Sequence, residues 1–236
     1  MSLFQRNIGP LTNFFPPTHR PMASHPRVVL VNGFGTTPRS LTEMVDHFET
    51  EGYPCAIPSV GGIRGVWQTN RVARAGTALS RYLNTLPDGV RPWLVGHSIG
   101  GMIARCAVQL EDVSDRVSGV ITIGSPHQGT PAAVAGILLG FGLISRAPLD
   151  ITPLSGLIRR LNKAPWPNDV PLVSVVSHSD ILCPIQSGTP QIGTSAAVRT
   201  VALSGVGHTE MVRAPWVLNV LLDLMNDPHT VINPAG

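Results

Sequence analysis

The chain has few charged side chains, few aromatic ones and a single lysine. Charged residues make up 13% and aromatic residues 5% of the 236 positions, and Lys163 is the only lysine. Soluble proteins average about a quarter charged residues, so this composition excludes long disordered acidic or basic tails. The seventeen basic residues form no run with interleaved aromatics, so no nucleic-acid partner is expected. The net charge of +3 points to no other partner.

Cysteine and long apolar runs are scarce as well. Cys55, Cys106 and Cys183 are odd in number and lack CxxC spacing, so we expect no disulfide framework and three buried thiols, with one disulfide as the alternative. No stretch reaches the ~18 apolar residues of a membrane-spanning helix. Residues 1–26 contain five prolines and no continuous apolar segment, unlike a signal peptide. The sequence therefore leaves the location open: cytoplasmic or peripheral as it stands, and secreted if a signal has been removed.

Short apolar runs alternate with helix-compatible segments along most of the chain. Strands are predicted at residues 27–31, 53–57, 92–95, 117–123, 171–176 and 198–203. Helices are predicted at about 38–52, 66–86, 99–110 and 214–225. This alternation indicates an α/β fold with about six mostly parallel strands and helices on both faces. Residues 1–26 are interpreted as an irregular arm, and 27–236 as one domain.

A G-x-S-x-G pattern lies where the third strand meets the third helix. Residues 96–100 are Gly-His-Ser-Ile-Gly, in the strand, turn and helix context that this pattern requires. Gly96 and Gly100 are expected where backbones approach too closely for a side chain. Ser98 would then stand at a helix N-terminus, where the helix dipole and free N–H groups favour a developing negative charge. Ser98 is the candidate nucleophile, and an ordinary strand-to-helix turn is the alternative.

A serine nucleophile needs a base, and the base needs a carboxylate that orients it. Asp180 follows the fifth predicted strand and His208 follows the sixth, in the chain order Ser, Asp, His that accompanies this turn. The carboxyl ends of parallel strands share one edge of the sheet. We therefore expect Ser98, Asp180 and His208 to meet at that edge.

Three carboxylates compete with Asp180 for the orienting role. Asp150 lies in the long segment between the fourth and fifth strands, and Asp169 precedes its strand, at the opposite edge. Glu210 is too close to His208 in sequence to reach the far ring nitrogen easily. Asp180 is the favoured acid, and its alternative is a loop-capping aspartate.

Seven other histidines compete with His208 for the role of base. His127 is the strongest rival because it also follows a strand. His97, inside the turn, is expected to point away from Ser98 and to pack as structure. His178 is interpreted as a polar neighbour of the acid. His208 is favoured because it follows the acid in the chain.

Two backbone N–H groups are candidates for the oxyanion hole. One belongs to Ile99, the residue after the candidate nucleophile. The other belongs to Phe34, in the loop after the first strand, where Gly33 and Gly35 allow close approach. A plain glycine turn is the alternative for this loop.

Together these motifs resemble the α/β-hydrolase superfamily, and within it the bacterial triacylglycerol lipase and esterase group. The matching segments are residues 31–35, 95–101, 123–130, 179–184 and 207–208. They lie between residue 27 and about residue 225, and Ser-Pro-His-Gln-Gly-Thr at 125–130 matches an element typical of these lipases. The resemblance implies a compact α/β-hydrolase fold and carboxylic-ester hydrolysis through an acyl-serine intermediate.

The resemblance also implies residue roles. It makes Ser98, Asp180 and His208 the catalytic triad. It makes Phe34 and Ile99 the oxyanion donors, and His127 structural.

Two departures from the family pattern are visible. Asn32 stands where the oxyanion loop usually has histidine, and residues 1–26 show no opening pair of antiparallel strands. No acidic cluster suggests calcium or zinc, so neither a metal nor a cofactor is expected.

Residues 131–168 lie where insertions form caps in this fold. Ten of them, residues 135–144, carry no charge, and Ile137, Leu138, Leu139 and Phe141 are the expected substrate contacts. An apolar cap suits small-molecule or lipid esters with hydrophobic acyl chains, and it could open at a lipid surface. A core helix packed against the sheet is an equally good interpretation of this stretch.

Carboxylic-ester hydrolysis is the predicted activity. An acyltransferase or a thioesterase would use the same Ser98, Asp180 and His208. A catalytically silent protein that binds lipid or a partner could keep the same scaffold, although an intact set of Ser, Asp and His speaks against it. The residues leave acyl-chain length and oligomeric state open.

Overall fold

Six apolar runs form the strands of one parallel sheet. The computed structural model of the protein describes residues 25–34, 41–61, 70–138, 145–193 and 195–232. The strands within them are β1 (Val28–Val31), β2 (Cys55–Ala56), β3 (Trp93–His97), β4 (Gly119–Ile123), β5 (Leu172–Ser177) and β6 (Val198–Leu203). Their spatial order is β2-β1-β3-β4-β5-β6, and every neighbouring pair is parallel. The predicted α/β class with about six mostly parallel strands is confirmed.

Helices connect these strands. The described helices are α1 (Thr42–Thr50), α2 (Val72–Leu83), α3 (Ile99–Leu110), α4 (Pro131–Leu138), α5 (Ala147–Asp150), α6 (Gly156–Lys163), α7 (Ile185–Gly188) and α8 (Pro215–Asn226). Short 3-10 turns occur at Ser114–Arg116 and Glu210–Val212. The helix predicted at 66–86 is shorter at its C-terminal end, because the chain after Leu83 tightens into i→i+3 bonds. Residues 62–69 of that prediction lie outside the described residues.

Both faces of the sheet are covered. Every residue of β1, β4 and β5 is buried, which explains why these strands are mostly apolar and do not alternate with exposed polar residues. Successive side chains of a strand point to opposite faces. Val29 and Val31 therefore pack into a layer with α2, α3 and α6, whereas Val28 and Leu30 pack into a layer with α1 and α8.

The insertion between β4 and β5 is helical in its described part. Asp150, at the end of α5, accepts hydrogen bonds from the Val72 N–H (2.8 Å) and the Arg71 guanidinium (2.7 Å), so it anchors the insertion to the start of α2. Ile158 and Leu161 make α6 a core helix. In α4 only Ala133 is buried, so α4 is not a core helix.

Several other predictions can be compared with the described residues. The three cysteines are free and buried, as expected. None of the described helices combines the length and the apolar character needed to cross a bilayer. Residues 1–24 of the predicted arm lie outside the described residues, so the arm and its boundary stay a prediction.

Candidate active site

Ser98 stands on a sharp turn between β3 and α3. It is the N-cap residue of α3, and its backbone has φ 55° and ψ −124°. A left-handed φ at a residue with a Cβ costs about 1–3 kcal/mol, so the surrounding structure must hold it. The Ser98 N–H donates to the Ile123 carbonyl at 2.8 Å, which ties the turn to the end of β4. This is the strained strand-to-helix geometry that lifts a serine hydroxyl above a sheet.

Glycine at two positions lets the turn pack this tightly. A Cβ on Gly96 would lie 2.5 Å from the backbone of Gly101. A Cβ on Gly100 would lie 2.0 Å from the carbonyl oxygen of Val31. Both distances are far inside van der Waals contact, so the expected close approach is confirmed.

Asp180 and His208 meet at the carboxyl edge of the sheet. His208 Nδ1 lies 2.6 Å from Asp180 Oδ2. The parallel pairing of β5 with β6 brings the two following loops together. The Asp180 side chain is fully buried, whereas 11% of the His208 side chain is exposed. An ionised carboxylate only accepts hydrogen bonds, so Nδ1 carries the hydrogen and Nε2 is the basic nitrogen of the neutral ring.

Backbone N–H groups hold the second oxygen of the carboxylate. Asp180 Oδ1 accepts hydrogen bonds from Leu182 N at 2.9 Å and from Cys183 N at 2.8 Å. Both oxygens are therefore engaged, which fixes the plane of the carboxylate relative to the His208 ring. A loop-capping aspartate would use only these N–H groups, whereas Asp180 also contacts the histidine.

Ser98 and His208 line one cavity of about 360 Å³. The rest of its wall is mostly small or apolar: Phe34, His97, Ile99, Gly124, Pro126, Thr130, Ala132, Ala133, Gly136, Pro148, Ile151, Leu182, Cys183 and Thr209. The volume lies in the range of small-molecule sites. An apolar wall with a few polar groups at one end can hold a hydrophobic group and present its polar end to Ser98.

Both predicted oxyanion residues lie in this wall. Ile99 is the first residue of α3, where N–H groups have no acceptor within the helix. Gly33 brings the Phe34 loop close to the turn, because a Cβ there would lie only 2.9 Å from Ser98 Cβ. The structure thus brings Phe34 and Ile99 to the same cavity as Ser98. Their donation to an oxyanion stays a prediction.

The predicted substrate contacts are placed differently. Ile137 is half-buried and 82% of Leu138 is exposed, and neither lines the cavity. Leu139 and Phe141 lie outside the described residues. The face of α4 toward the cavity consists of Ala132, Ala133 and Gly136 instead. Sequence reasoning missed this face because it selected the large apolar side chains as substrate contacts. A cavity instead needs small side chains along its wall.

Gly124 is a second residue that sequence reasoning missed. It follows β4 directly, has φ 54° and lines the cavity. A Cβ there would lie 2.9 Å from Asp180 Oδ2 and 3.0 Å from His208 Nδ1. Gly124 therefore leaves the space in which the acid and the histidine meet. Its position between a buried strand and Ser125-Pro126 is the only signal that the sequence offered.

The rival carboxylates do not contact His208. Asp150 bonds Arg71 and α2, as described above, and Asp169 is exposed. Glu210 Oε2 accepts the Gly207 N–H at 3.3 Å, within its own turn.

The rival histidines have other surroundings. His127 is completely buried and bonds Thr122 Oγ1 at 2.9 Å through Nε2, and it does not line the cavity. His178 is exposed. His97 packs against His208, and its Nε2 lies 3.1 Å from the His208 carbonyl oxygen.

Cys183 is another potential nucleophile in the cavity wall. Burial, together with the nearby negative charge of Asp180, raises the pKa of its thiol well above the usual range. Because the thiolate is the reactive form, Cys183 stays an unreactive thiol. The described residues contain no group of three or more His, Cys, Asp or Glu side chains that could hold a metal ion.

One protein family matches part of the chain. The family model described as the PGAP1-like alpha/beta domain matches residues 68–143, which include β3, Ser98 and β4. This is less than half of the 236 residues. No protein with a curated description matches the sequence.

Solved structures share the architecture over most of the chain. The chain is similar to the mature form of lipase BlEst2 from Bacillus licheniformis, with a TM-score of 0.69 and 15% identity over 89% of this chain and 96% of that one. A monoacylglycerol lipase from Paleococcus ferrophilus gives a TM-score of 0.61 and 18% identity over 85% and 95% of the two chains. A thermophilic esterase from Thermogutta terrifontis gives 0.57 and 15% over 88% and 92%. These neighbours confirm the α/β-hydrolase fold that the sequence resemblance implies.

Proposed function

We propose that this protein is a serine hydrolase that cleaves carboxylic esters with hydrophobic acyl groups through an acyl-serine intermediate. The bond of 2.6 Å between His208 Nδ1 and Asp180 Oδ2 carries the proposal, because it orients the ring in the wall of the cavity that Ser98 also lines. The neighbouring solved structures are called lipases and esterases, which is consistent with this chemistry. Ser98, Asp180 and His208 are the proposed triad.

The proposed mechanism begins with attack by Ser98. His208 Nε2 takes the hydroxyl proton while Oγ bonds to the ester carbonyl carbon, and Asp180 stabilises the imidazolium that forms. The N–H groups of Phe34 and Ile99 donate to the oxyanion. When the intermediate collapses, His208 passes the proton to the leaving alcohol and the acyl group remains on Ser98.

Water completes the cycle. His208 Nε2 accepts a proton from a water molecule as its oxygen bonds to the acyl carbonyl carbon. The second tetrahedral intermediate then expels Ser98 Oγ, which regains its proton from His208. The acid leaves, and the enzyme returns to its starting state with atoms and charges balanced.

The wall of the cavity supports a hydrophobic acyl group. Ala132, Ala133 and Gly136 of α4 and Ile151 offer carbon surface. Each methylene moved from water to such surface contributes about 0.8 kcal/mol of binding free energy. The kcat/KM for p-nitrophenyl esters should therefore rise with acyl length until the cavity is filled.

A transient lipid interface is part of this proposal. Large exposed apolar side chains occur on two elements that border the cavity: Val134 and Leu138 on α4, and Ile181 and Leu182 after Asp180. The Thr130 hydroxyl joins these elements by donating to the Leu182 carbonyl at 2.6 Å. Exposed apolar surface beside a cavity is typical of contact with lipid or another apolar partner.

Exposed apolar residues near the carboxyl ends and near the amino ends of the strands allow a matched test of this interface. We expect the double variant Leu138→Ser, Ile181→Ser to hydrolyse an emulsified ester more slowly and a soluble short ester at the wild-type rate. Val231→Ser is the control, because Val231 is 86% exposed and follows residues that bond Arg199, at the amino end of β6. Equal emulsion rates for the wild type and the double variant would refute the interface.

Covalent labelling tests the nucleophile. A fluorophosphonate should label the wild type and the Ser118→Ala variant equally, because Ser118 is an exposed serine at the amino end of β4. Ser98→Ala should lose both the label and the turnover of p-nitrophenyl esters. Labelling that persists in Ser98→Ala would exclude the mechanism, and an unlabelled wild type would indicate a silent scaffold. Faster transfer to an added alcohol than to water would identify an acyltransferase instead.

A further inference from the structure

His97 precedes Ser98 in the chain and its ring contacts His208, although sequence reasoning assigned it only a packing role. It is the last residue of β3, and only 3% of it is exposed. Its ring centroid lies 4.8 Å from that of His208, with the two planes tilted by 45°. The residue before the proposed nucleophile therefore contacts the proposed base.

A hydrogen bond joins the two residues as well. His97 Nε2 lies 3.1 Å from the carbonyl oxygen of His208. A carbonyl oxygen can only accept, so Nε2 carries the hydrogen. Burial, and then the neighbouring His208, lower the pKa of His97 to about 4. The ring is therefore neutral near pH 7, with its hydrogen on Nε2.

The opposite edge of the same ring faces the loop that carries Phe34. A Cβ placed on Gly33 would lie 3.5 Å from His97 Nδ1 and 2.9 Å from the His97 carbonyl oxygen. Nδ1 is buried and has no hydrogen-bond partner in the described part of the chain. The ring thus fills the space between the His208 loop and the proposed oxyanion loop, directly beside Ser98.

Other contacts hold the residues before His208, but not its own carbonyl. Ser177 Oγ donates to the Val206 carbonyl at 2.6 Å, and Glu210 Oε2 accepts from the Gly207 N–H. Among the described residues, only His97 donates a hydrogen bond to the His208 carbonyl. This bond therefore links the base directly to the strand that delivers the nucleophile.

We propose that His97 is a positioning residue, whose Nε2–H holds the His208 backbone at the distance from Ser98 that proton transfer requires. The inference rests on the proposed function. It concerns how precisely His208 is placed relative to Ser98. A displacement of about 1 Å between reacting groups can lower the rate about 100-fold. His97 would raise kcat and leave substrate binding nearly unchanged.

Two replacements separate the hydrogen bond from the filling of space. His97→Phe keeps a ring of similar size without the donor. His97→Gln places an amide N–H at about the position of Nε2. On a soluble p-nitrophenyl ester, His97→Phe should lower kcat by about 10- to 100-fold with KM within about twofold. His97→Gln should recover most of that loss, and the rate of fluorophosphonate labelling should follow the same order.

Two results would overturn the inference. One is an equal loss of kcat in both variants, which would indicate packing alone. The other is a His97→Phe variant with wild-type kcat. If the wild type is not labelled at all, the proposed function itself fails. If the wild type and both variants are labelled at the same rate, only the role of His97 fails.

Nitrogen-15 spectroscopy of the wild type tests the bond without any variant. One histidine, identified by nuclear Overhauser contacts with the His208 ring, should show a protonated Nε2 and a bare Nδ1. Its signals should not change from about pH 5.5 to 8.5, a range in which an exposed histidine titrates. A hydrogen on Nδ1 of that ring would refute the proposed bond.

Discussion

Two histidines follow strands at the same edge of the sheet, and their surroundings differ. His208 contacts a carboxylate at 2.6 Å through Nδ1 and borders the cavity, with 11% of its side chain exposed. His127 is completely buried, and both of its ring nitrogens lie within 3.3 Å of protein groups. A base needs one nitrogen fixed and the other accessible to substrate. Only His208 has that arrangement.

The contacts of His127 form a directed chain of hydrogen bonds. Arg105 can only donate, so His127 Nδ1 accepts from it at 3.3 Å and Nε2–H donates to Thr122 at 2.9 Å. Thr122 donates to Ser174 at 3.2 Å, and Ser174 donates to the Gly188 carbonyl at 2.7 Å. Burial and the positive charge of Arg105 hold the pKa of His127 well below its ordinary value. This chain links α3 to α7 through β4 and β5, so His127 is a structural residue.

Replacing His208 should have the largest effect on activity. We expect His208→Gln to fold normally and to lose about 10⁴- to 10⁶-fold in kcat, because it removes the proposed base for the Ser98 proton. Steady-state kinetics on a soluble ester, with circular dichroism to verify folding, measure this. If His208→Gln retains a tenth of the wild-type kcat, His208 is not the base, and its role does not differ from that of His127.

Replacing the acid should cost somewhat less. Asp180→Asn keeps the shape but removes the charge that orients and stabilises His208, so kcat should fall by about 10³- to 10⁴-fold. Asp169→Asn is the matched control, because Asp169 is exposed and precedes β5 at the opposite edge. Its kcat should equal that of the wild type. Similar kinetics for the two variants would contradict the role of Asp180.

The reverse pattern is expected at His127. His127→Phe leaves the buried Arg105 guanidinium with one donor unpaired, which should lower the free energy of unfolding by about 2–3 kcal/mol. The kcat of the folded variant should stay within about threefold of the wild type, since His127 does not line the cavity. Urea unfolding and active-site titration separate the two effects. A large loss of kcat at unchanged stability would show that the wrong histidine was assigned to structure.

Per pH unit and per histidine, the smallest expected effect is the dependence of the free energy of unfolding on pH. The pKa of His97 is about 4, and that of His127 is also below its ordinary value of 6.5, so the unfolded chain binds protons that the folded chain does not. The free energy of unfolding should therefore fall as the pH drops from about 6.5 towards 4, by about 1.4 kcal/mol per pH unit for each histidine. His127→Gln should remove one histidine's share of that slope. An unchanged slope in this variant would mean that His127 is protonated in the folded protein.

Much of the architecture could be predicted, because a strand that is buried on both faces of the sheet is visible in the sequence as a short apolar segment. The strand β1 (Val28–Val31), for example, is a continuous apolar run because helices cover both faces of the sheet. Ser98, Asp180 and His208 follow the third, fifth and sixth strands, which predicted their position at one edge of the sheet before any contact was known. Each of these inferences uses only a segment and its immediate neighbours.

The wall of the cavity could not be predicted in this way. The apolar stretch that includes Ile137 and Leu138 suggested substrate contacts, but which face of α4 borders the cavity depends on how the insertion is anchored. That anchor is the bond between Asp150 and the start of α2, 78 residues apart in sequence. The hydrogen bond between His97 and the His208 carbonyl also joins segments that are distant in the sequence, and no local sequence pattern predicts it.

The sequence alone determined which chemical groups stand at the ends of the strands and in which order, because strand periodicity and turn residues act over a few positions. The tertiary structure decided which of these groups could act. A histidine's pKa and its accessible nitrogen depend on atoms that other segments bring within about 3 Å. For this reason His97, His127 and His208, one residue type at one edge of the sheet, have three different environments.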